Sequence, residues 1–191
     1  MRSGPILRGV RAVLALLALA MPLAARDAAA QQADLEAAVK ATFLYRFGSF
    51  VDWPPSAFAA PDAPLVVCVS GDAAFAGVVQ RASAGERIAN RPVLVRAIGV
   101  VASSPGCHII YVTGASGQNI ASALTAVRGE TVLTVTDAQH GATRGAIHFV
   151  VVDDRVRFHI DRGAAERNHL NLSSRLLSIA LSVRRRGGGA S

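Results

Sequence analysis

The chain has 191 residues, a length typical of a single domain, and an excess of basic over acidic side chains that gives a net charge of +7. Much of this excess lies at the two ends, in Arg2, Arg8, Arg11 and Arg26 and in Arg184–Arg186. The remaining body is nearly neutral and has no basic face with interleaved aromatic side chains, which excludes a nucleic-acid-binding protein.

The first 30 residues have the pattern of a secretory signal peptide. Arginines precede an apolar run over residues 12–25, and Ala28 and Ala30 form an Ala-x-Ala cleavage site before Gln31. The run is shorter than the roughly 20 apolar residues of a membrane-spanning helix, and it ends at Pro22 and Arg26. We therefore predict export and removal of residues 1–30, with an uncleaved membrane anchor as the alternative.

The first element of the mature chain is a predicted helix over residues 33–51, because Val39, Phe43, Phe47 and Phe50 recur at steps of three and four residues. Trp53-Pro54-Pro55 ends it, since proline disfavours the helical conformation in the residue before it. The middle of the chain alternates β-branched runs with helical segments: strands 64–71, 91–99, 107–114 and 131–137, and helices 72–83 and 116–128.

The C-terminal third begins with a predicted antiparallel hairpin. Its strands, 148–152 and 156–160, flank Asp153-Asp154, a pair suited to a tight turn. A short helix over 163–168 follows, and then a last helix capped by Ser173 or Ser174, with an inward face formed by Leu176, Leu177, Ile179, Ala180 and Val183. Residues 185–191 are expected to be disordered.

These elements predict one α/β domain over residues 31–184. Near-continuous apolar strands that alternate with helices indicate a mostly parallel sheet covered by helices on both faces, a three-layer arrangement. The hairpin is expected to add an antiparallel edge to that sheet.

The chain contains two cysteines, Cys68 and Cys107, and both lie in the mature part. In an oxidising compartment an even pair favours a disulfide over two free thiols. The bridge would close a loop of about 40 residues, for which the chain-entropy relation gives roughly 4 kcal/mol of stabilisation.

No catalytic constellation stands out, and we predict neither an enzyme nor a cofactor or metal site. Asp72 is expected to cap helix 72–83 rather than to border an anion site. His148 and His159 face each other across the hairpin, where a surface pair is favoured because a third metal ligand is not evident. Gln118 and Asn119 either line a pocket at the carboxyl ends of the strands or only begin a helix.

Five of the ten aromatic residues lie between Phe43 and Pro54. One row of this helix is expected to pack against the sheet, while Leu44, Tyr45, Val51 and Trp53 extend the apolar surface around its other faces. An N-terminal helix is not expected to be central in a small α/β domain. Two interpretations therefore remain open: packing in the core alone, or packing in the core together with a protein interface.

Several segments resemble the YfiR family of periplasmic proteins. The most specific are KATFLYRFGSFVDWP at 40–54 and LNLSSRLLSIA at 170–180. Between them lie segments 66–75, 107–112 and 133–161, which match in order and spacing. The resemblance covers nearly all of the mature chain. It implies a dimerising periplasmic repressor, not an enzyme, that binds the periplasmic part of an inner-membrane diguanylate cyclase and holds its cytoplasmic GGDEF domain inactive.

The resemblance also matches Cys68 and Cys107 to a family disulfide, whereas the cysteines for a further C-terminal bridge of some relatives are missing here. Whether the disulfide is a redox switch or a structural staple stays open.

We expect the interface with a second copy or with the cyclase to be formed by Tyr45, Phe50 and Trp53, with polar contributions from Arg157 and Arg175. The alternative function is a periplasmic ligand-binding sensor module that reports to a histidine kinase or a transporter. A hydrolase is a third class, for which we find no catalytic residues.

Overall fold

The computed structural model describes residues 30–185. The predicted signal peptide, apart from Ala30, and the predicted tail, apart from Arg185, lie outside the described residues. From Ala37 onward the chain forms one compact unit. Its helices are α1 (30–46), α2 (Ala73–Ala82), α3 (Ile120–Ala126), α4 (Arg162–Arg167) and α5 (Ser174–Ile179).

The strands are β1 (Val51–Asp52), β2 (Leu65–Ser70), β3 (Arg87–Ile88), β4 (Arg91–Ile98), β5 (Ile109–Val112), β6 (Leu133–Asp137), β7 (Ile147–Val152), β8 (Arg155–Asp161), β9 (Asn171–Leu172) and β10 (Ser182–Arg184). Eight of them form one sheet in the order β10-β8-β7-β6-β5-β2-β4-β3, and β1 pairs with β9 in a separate ribbon. The five central strands, from β4 to β7, are parallel. The predicted mostly parallel α/β sheet with a C-terminal antiparallel hairpin is confirmed.

The two faces of the sheet support two separate cores, because successive side chains of a strand point to opposite faces. Val67, Val69 and Tyr111 lie in the larger core, which also contains residues of α1, α2, α4 and α5. Cys68 and Ile110 lie in the smaller core, which α3 covers with Ile120 and Ala123. The predicted three-layer arrangement follows from this alternation.

The first helix is shorter than predicted. It ends at residue 46 and passes into a 3-10 turn, Phe47–Phe50, after which Val51 joins β1 and pairs with Leu172. Gly48 explains the tight turn, since a Cβ atom at this position would lie 2.5 Å from Leu65 Cδ2. The backbone therefore approaches the sheet more closely here than a continuous helix with side chains would allow.

The last helix is also shorter than predicted. Ser173 caps it by accepting from the Leu176 amide, but it ends at Ile179, and the next residues form β10 along β8. Of the five residues expected to face inward, Leu176 is completely buried, whereas Ile179 and Val183 are 49% and 37% exposed. The extra strand also means that β10, and not the hairpin, forms this edge of the sheet.

The hairpin turn and the cap of α2 agree with the sequence. Asp153 and Asp154 both have positive φ, at 49° and 56°, as the tight turns that join antiparallel strands require. Asp72 accepts a hydrogen bond from the Phe75 amide at 2.8 Å and so caps α2.

A buried ion pair attaches α1 to the sheet. Lys40, the only lysine of the chain, is 2% exposed, and its Nζ lies 2.5 Å from Oδ2 of Asp137, which is 1% exposed at the end of β6. The Tyr111 hydroxyl donates to the same oxygen at 3.1 Å, and the Gln139 amide donates to Oδ1 at 2.9 Å. The carboxylate is thus fully coordinated by three elements of the fold.

Replacing Lys40 by methionine should lower the free energy of unfolding by about 3–5 kcal/mol, because it leaves a buried carboxylate without its counter-charge. Chemical denaturation measures this change. The double variant Lys40→Met/Asp137→Asn should recover part of the loss, since its carboxylate has been removed as well. A cost below about 1 kcal/mol for Lys40→Met would show that the pair is not an anchor.

Candidate interaction surface

The aromatic residues of α1 and the following turn pack against the hairpin. The Phe47 ring lies 5.2 Å from Phe158 and 5.7 Å from Phe149, centroid to centroid, and Phe43 stacks on Phe47 at 6.0 Å. The geometry between Phe47 and Phe158 is edge to face, an arrangement that aromatic rings prefer. The predicted aromatic row is therefore part of the larger core.

The side of α1 that carries Leu44 and Tyr45 is buried as well, within the same compact unit. Leu44 is completely buried and Tyr45 is 2% exposed, and both belong to the larger core. The helix therefore buries more of its circumference than one aromatic row, while Ala38 and Arg46 remain exposed on the remaining side. At the C-terminal end of α1, α5 contacts the turn Phe47–Phe50, and the next residue, Val51, pairs with Leu172 in the β1–β9 ribbon.

Trp53 belongs to a stack of rings beside β2 and β4. Its Nε1 donates to the Gly48 carbonyl at 2.9 Å, and its ring lies nearly perpendicular to those of Phe58 and His108, at 6.2 and 5.5 Å between centroids. Phe58 stacks on His108 at 4.4 Å, and the Arg91 guanidinium lies 3.6 Å above the other face of Phe58. This stack holds the segment between β1 and β2 against the sheet.

His108 is held as a neutral ring by two backbone hydrogen bonds. Its Nδ1 accepts from the Val66 amide at 3.0 Å, and its Nε2 lies 2.9 Å from the Ala57 carbonyl, to which it donates. Protonation of Nδ1 would abolish the first bond. Burial is the main cause that lowers the pKa of His108, and the nearby charge of Arg91 lowers it further.

The disulfide lies on the second face of the sheet. Cys68 is in the middle of β2 and Cys107 directly precedes β5, and the structure joins them with a Cα–Cα distance of 5.9 Å. Both side chains belong to the smaller core. The bridge therefore fixes the start of β5 beside β2, at a place where bulk solvent has little access.

The hairpin presents a polar face on the side of the sheet opposite α1. His148 and His159 are directly paired, as predicted, but His148 is buried and its Nδ1 lies 2.9 Å from Thr136 Oγ1, so the pair is only partly on the surface. Burial lowers the pKa of both histidines, and the charge of Arg144 lowers both further.

The five residues expected at an interface do not form one surface. Tyr45 is in the core, and Trp53 is part of the ring stack. Phe50 lies beside α5, because its carbonyl accepts from the Ser173 amide at 2.8 Å, and the exposed Arg175 is on that helix. Arg157 is exposed on the opposite face of the sheet from Phe158.

The structure reveals an exposed apolar strip that the sequence interpretation missed. We call the segment from Arg175 to Val183 the C-terminal edge. Ile179, Leu181 and Val183 are 49%, 42% and 37% exposed. Val183 lies on the outermost strand, β10, and pairs with Ile160 of β8. The alternating apolar residues 179, 181 and 183 were the available signal, which the prediction of a longer helix concealed.

A cleft of about 920 Å³ lies at the carboxyl ends of β2 and β5, where Gly71, Thr113 and His140 contribute to its walls. Gln118 and Asn119 line it, so the predicted position of a pocket is correct. Their polar groups serve the fold, however: Gln118 bonds to both the amide and the carbonyl of Val101, and Asn119 caps α3 through the Ser122 amide.

Within residues 30–185, no group of three or more histidine, cysteine, aspartate or glutamate side chains is arranged to hold a metal ion. In the same part of the chain, none of the helices combines the length and the apolar composition that crossing a membrane requires.

Within residues 30–185 these features define an α/β domain with two cores, an N-terminal helix whose aromatic end is buried, and an exposed apolar edge. The chain belongs to the YfiR/HmsC-like family, whose family model matches residues 37–181. Proteins of this family are periplasmic regulators in c-di-GMP signalling, with a regulatory rather than a catalytic role. A comparison with curated proteins found no match.

Replacing both cysteines by alanine should lower the free energy of unfolding by about 2–4 kcal/mol, because the unfolded chain gains the freedom of a loop of about 40 residues. Denaturation with and without a reductant measures the change. The reductant should weaken the native protein and leave the double variant unaffected. Equal stability of the two proteins without reductant would contradict a stabilising bridge.

The protein should lose stability as the pH falls below the ordinary histidine value of 6.5. His108, His148 and His159 all have lowered pKa values in the folded state, so the unfolded chain takes up protons first. Their contribution to the free energy of unfolding is fully present above pH 6.5. As the pH decreases below this value, the contribution decreases by at most about 1.4 kcal/mol per pH unit for each histidine.

Unfolding curves at pH 8, 6.5 and 5.5 test this dependence. His159→Gln should reduce the loss between pH 8 and 5.5, because it removes one of the groups that the unfolded chain protonates first. Equal stability of the native protein at pH 8 and 5.5 would contradict the assignment.

Proposed function

We propose that the protein is a periplasmic repressor that binds the periplasmic part of an inner-membrane diguanylate cyclase and holds its cytoplasmic GGDEF domain inactive. The family match over residues 37–181 supports a regulator in this signalling system. The C-terminal edge is the observation that supports binding to the cyclase. An exposed edge strand with apolar side chains is a surface on which another chain typically binds.

The edge offers both parts of a typical interface. Ile179, Leu181 and Val183 supply apolar area, and Arg175 supplies an exposed guanidinium on the adjoining helix. Phe50 borders the same helix, and a partner that wraps around β10 would reach Arg157 on the other face of the sheet. Tyr45 and Trp53 then act indirectly, by holding the helix end and the following segment in place.

The same edge is the surface we propose for homodimer formation. An isologous contact between two edges would place the apolar strip of one protomer on that of its partner. Cyclase binding and dimer formation would then use overlapping residues, and the membrane partner would compete with the second copy.

The second candidate is a ligand-binding sensor module that reports to a histidine kinase or a transporter. The cleft of about 920 Å³ at the strand ends favours it, since ligands of such sheets bind there. We rank it second because Gln118 and Asn119, the polar side chains expected to contact a ligand, already bond to the protein's own backbone.

An affinity pull-down from crosslinked native membranes, with identification by mass spectrometry, tests the proposal. The native protein should recover a membrane GGDEF protein, and the variants Arg175→Glu and Leu181→Asp should lose it and raise cellular c-di-GMP. Arg81→Glu, a change at an exposed position on α2, is the matched control and should retain both properties. Thermal unfolding establishes that each variant is folded.

Recovery of a kinase or a transporter instead of a GGDEF protein would favour the sensor module. Recovery of the cyclase by the folded Arg175→Glu and Leu181→Asp variants would show that binding occurs elsewhere on the domain. Light scattering of the same variants measures the oligomeric state, which both changes should shift toward the monomer.

A further inference from the structure

Three arginines surround a small pocket at the end of the sheet where β6 and β7 begin. The pocket has a volume of about 110 Å³, and its lining includes Arg128, Arg144 and Arg167 together with Thr134 and Asn168. Arg128 follows α3, Arg144 precedes β7 and Arg167 ends α4. Arginines from three separate parts of the chain thus line one pocket.

These guanidinium groups have no partners of their own within residues 30–185. The ion pairs of that part of the chain are made by Lys40, Arg46, Arg162 and Arg184, and none of its side-chain hydrogen bonds involves the three arginines of the pocket. A position at the C-terminal end of a helix accounts for Arg128 and Arg167, since cations are favoured there. It does not account for Arg144, which lies outside any helix.

The floor of the pocket is polar, buried and fixed. Asn168 donates to the Val132 carbonyl at 2.8 Å and accepts from the Gly129 amide at 3.0 Å. Thr134 Oγ1 accepts from the Ala146 amide at 2.9 Å, which leaves its hydroxyl hydrogen to be donated. Gly145 packs so closely that a Cβ atom there would lie 2.8 Å from the Thr134 carbonyl oxygen. The arginine rim therefore stands on a rigid base.

The size and charge of the pocket select one class of ligand. Liquid water occupies about 30 Å³ per molecule, so the pocket has room for roughly four oxygen-sized groups. A carboxylate offers one negative charge and two oxygens to three guanidinium groups. A phosphate monoester carries close to two negative charges and three terminal oxygens, and arginine forks match this geometry.

We propose that Arg128, Arg144 and Arg167 form a binding site for a phosphate group, with Thr134 as a further donor. The electrostatic potential of the region has the required sign, because the charge of Arg144 already lowers the pKa of the neighbouring His148 and His159. A bound phosphate offsets that charge, so it raises the pKa of both histidines. The source of the group is either free phosphate or the headgroup of a membrane phospholipid.

Calorimetric titration of the full mature protein with inorganic phosphate at roughly 0.01 M ionic strength tests the site, since little screening occurs there. Arg144→Gln and Arg167→Gln should each weaken the dissociation constant by about tenfold, as loss of a charge-assisted hydrogen bond does. Arg155→Gln, an exposed arginine at the hairpin tip, is the control and should change it less than about twofold. In NMR titrations, phosphate should raise the pKa of His148 and His159 in the native protein but not in Arg144→Gln.

Flotation with phosphatidylcholine vesicles that contain phosphatidic acid, against vesicles without it, distinguishes the two sources. Capture that free phosphate competes away and that Arg144→Gln abolishes supports the site and identifies a headgroup as the ligand. Phosphate binding that depends on Arg144 and Arg167 without vesicle capture supports the site and identifies a free phosphate compound. Absence of binding in both assays, or binding that Arg144→Gln and Arg155→Gln weaken equally, would overturn the proposal.

Discussion

The contact between Lys40 and Asp137 is the constraint on which the rest of the structure depends. A lysine and a carboxylate that are both almost completely buried are stable only together, since either charge alone would lie in the core without a counter-charge. The pair joins the N-terminal helix to the carboxyl end of a central strand, and Tyr111 connects the same carboxylate to the neighbouring strand. With the helix fixed in this way, its aromatic residues have one position in which to pack, between the hairpin and the β1–β9 ribbon.

The burial of the aromatic end of this helix changes where a partner can bind. The aromatic segment first suggests an interaction surface, but Phe47 and Tyr45 are buried inside the domain. Three of the exposed large apolar side chains, Ile179, Leu181 and Val183, lie close together at the C-terminal edge, where the chain leaves α5 and adds one short strand to the sheet. On the second face, the disulfide and α3 close the smaller core and leave the hairpin face open. The domain therefore separates a rigid interior, held by an ion pair and a disulfide, from an open edge and an arginine-lined pocket.

Local patterns were sufficient to predict much of this fold. The β-branched runs of β2, β5 and β6 bury both faces, and Asp72 and Asp153-Asp154 have the chemistry of a cap and a tight turn, so their assignments needed no tertiary information. The failures all involve contacts between distant residues. The pairing of Val51 with Leu172, the addition of β10 to β8, and the meeting of Lys40 with Asp137 are set by the folded sheet and not by neighbouring residues. The arginines of the phosphate pocket likewise come from three elements, and no sequence motif connects them.

Amine-reactive labelling of the folded protein, followed by mass spectrometry, tests the burial of the ion pair between the helix and the sheet most directly. The chain has a single lysine, so the only other amine that can react is the N-terminal one. If the helix is anchored as described, Lys40 remains unlabelled under native conditions while the N-terminal amine reacts, and it becomes reactive only when the protein unfolds. Labelling of Lys40 in the folded protein at the rate seen in denaturant would contradict the buried ion pair, and with it the account of why the aromatic residues of the helix pack inside the domain.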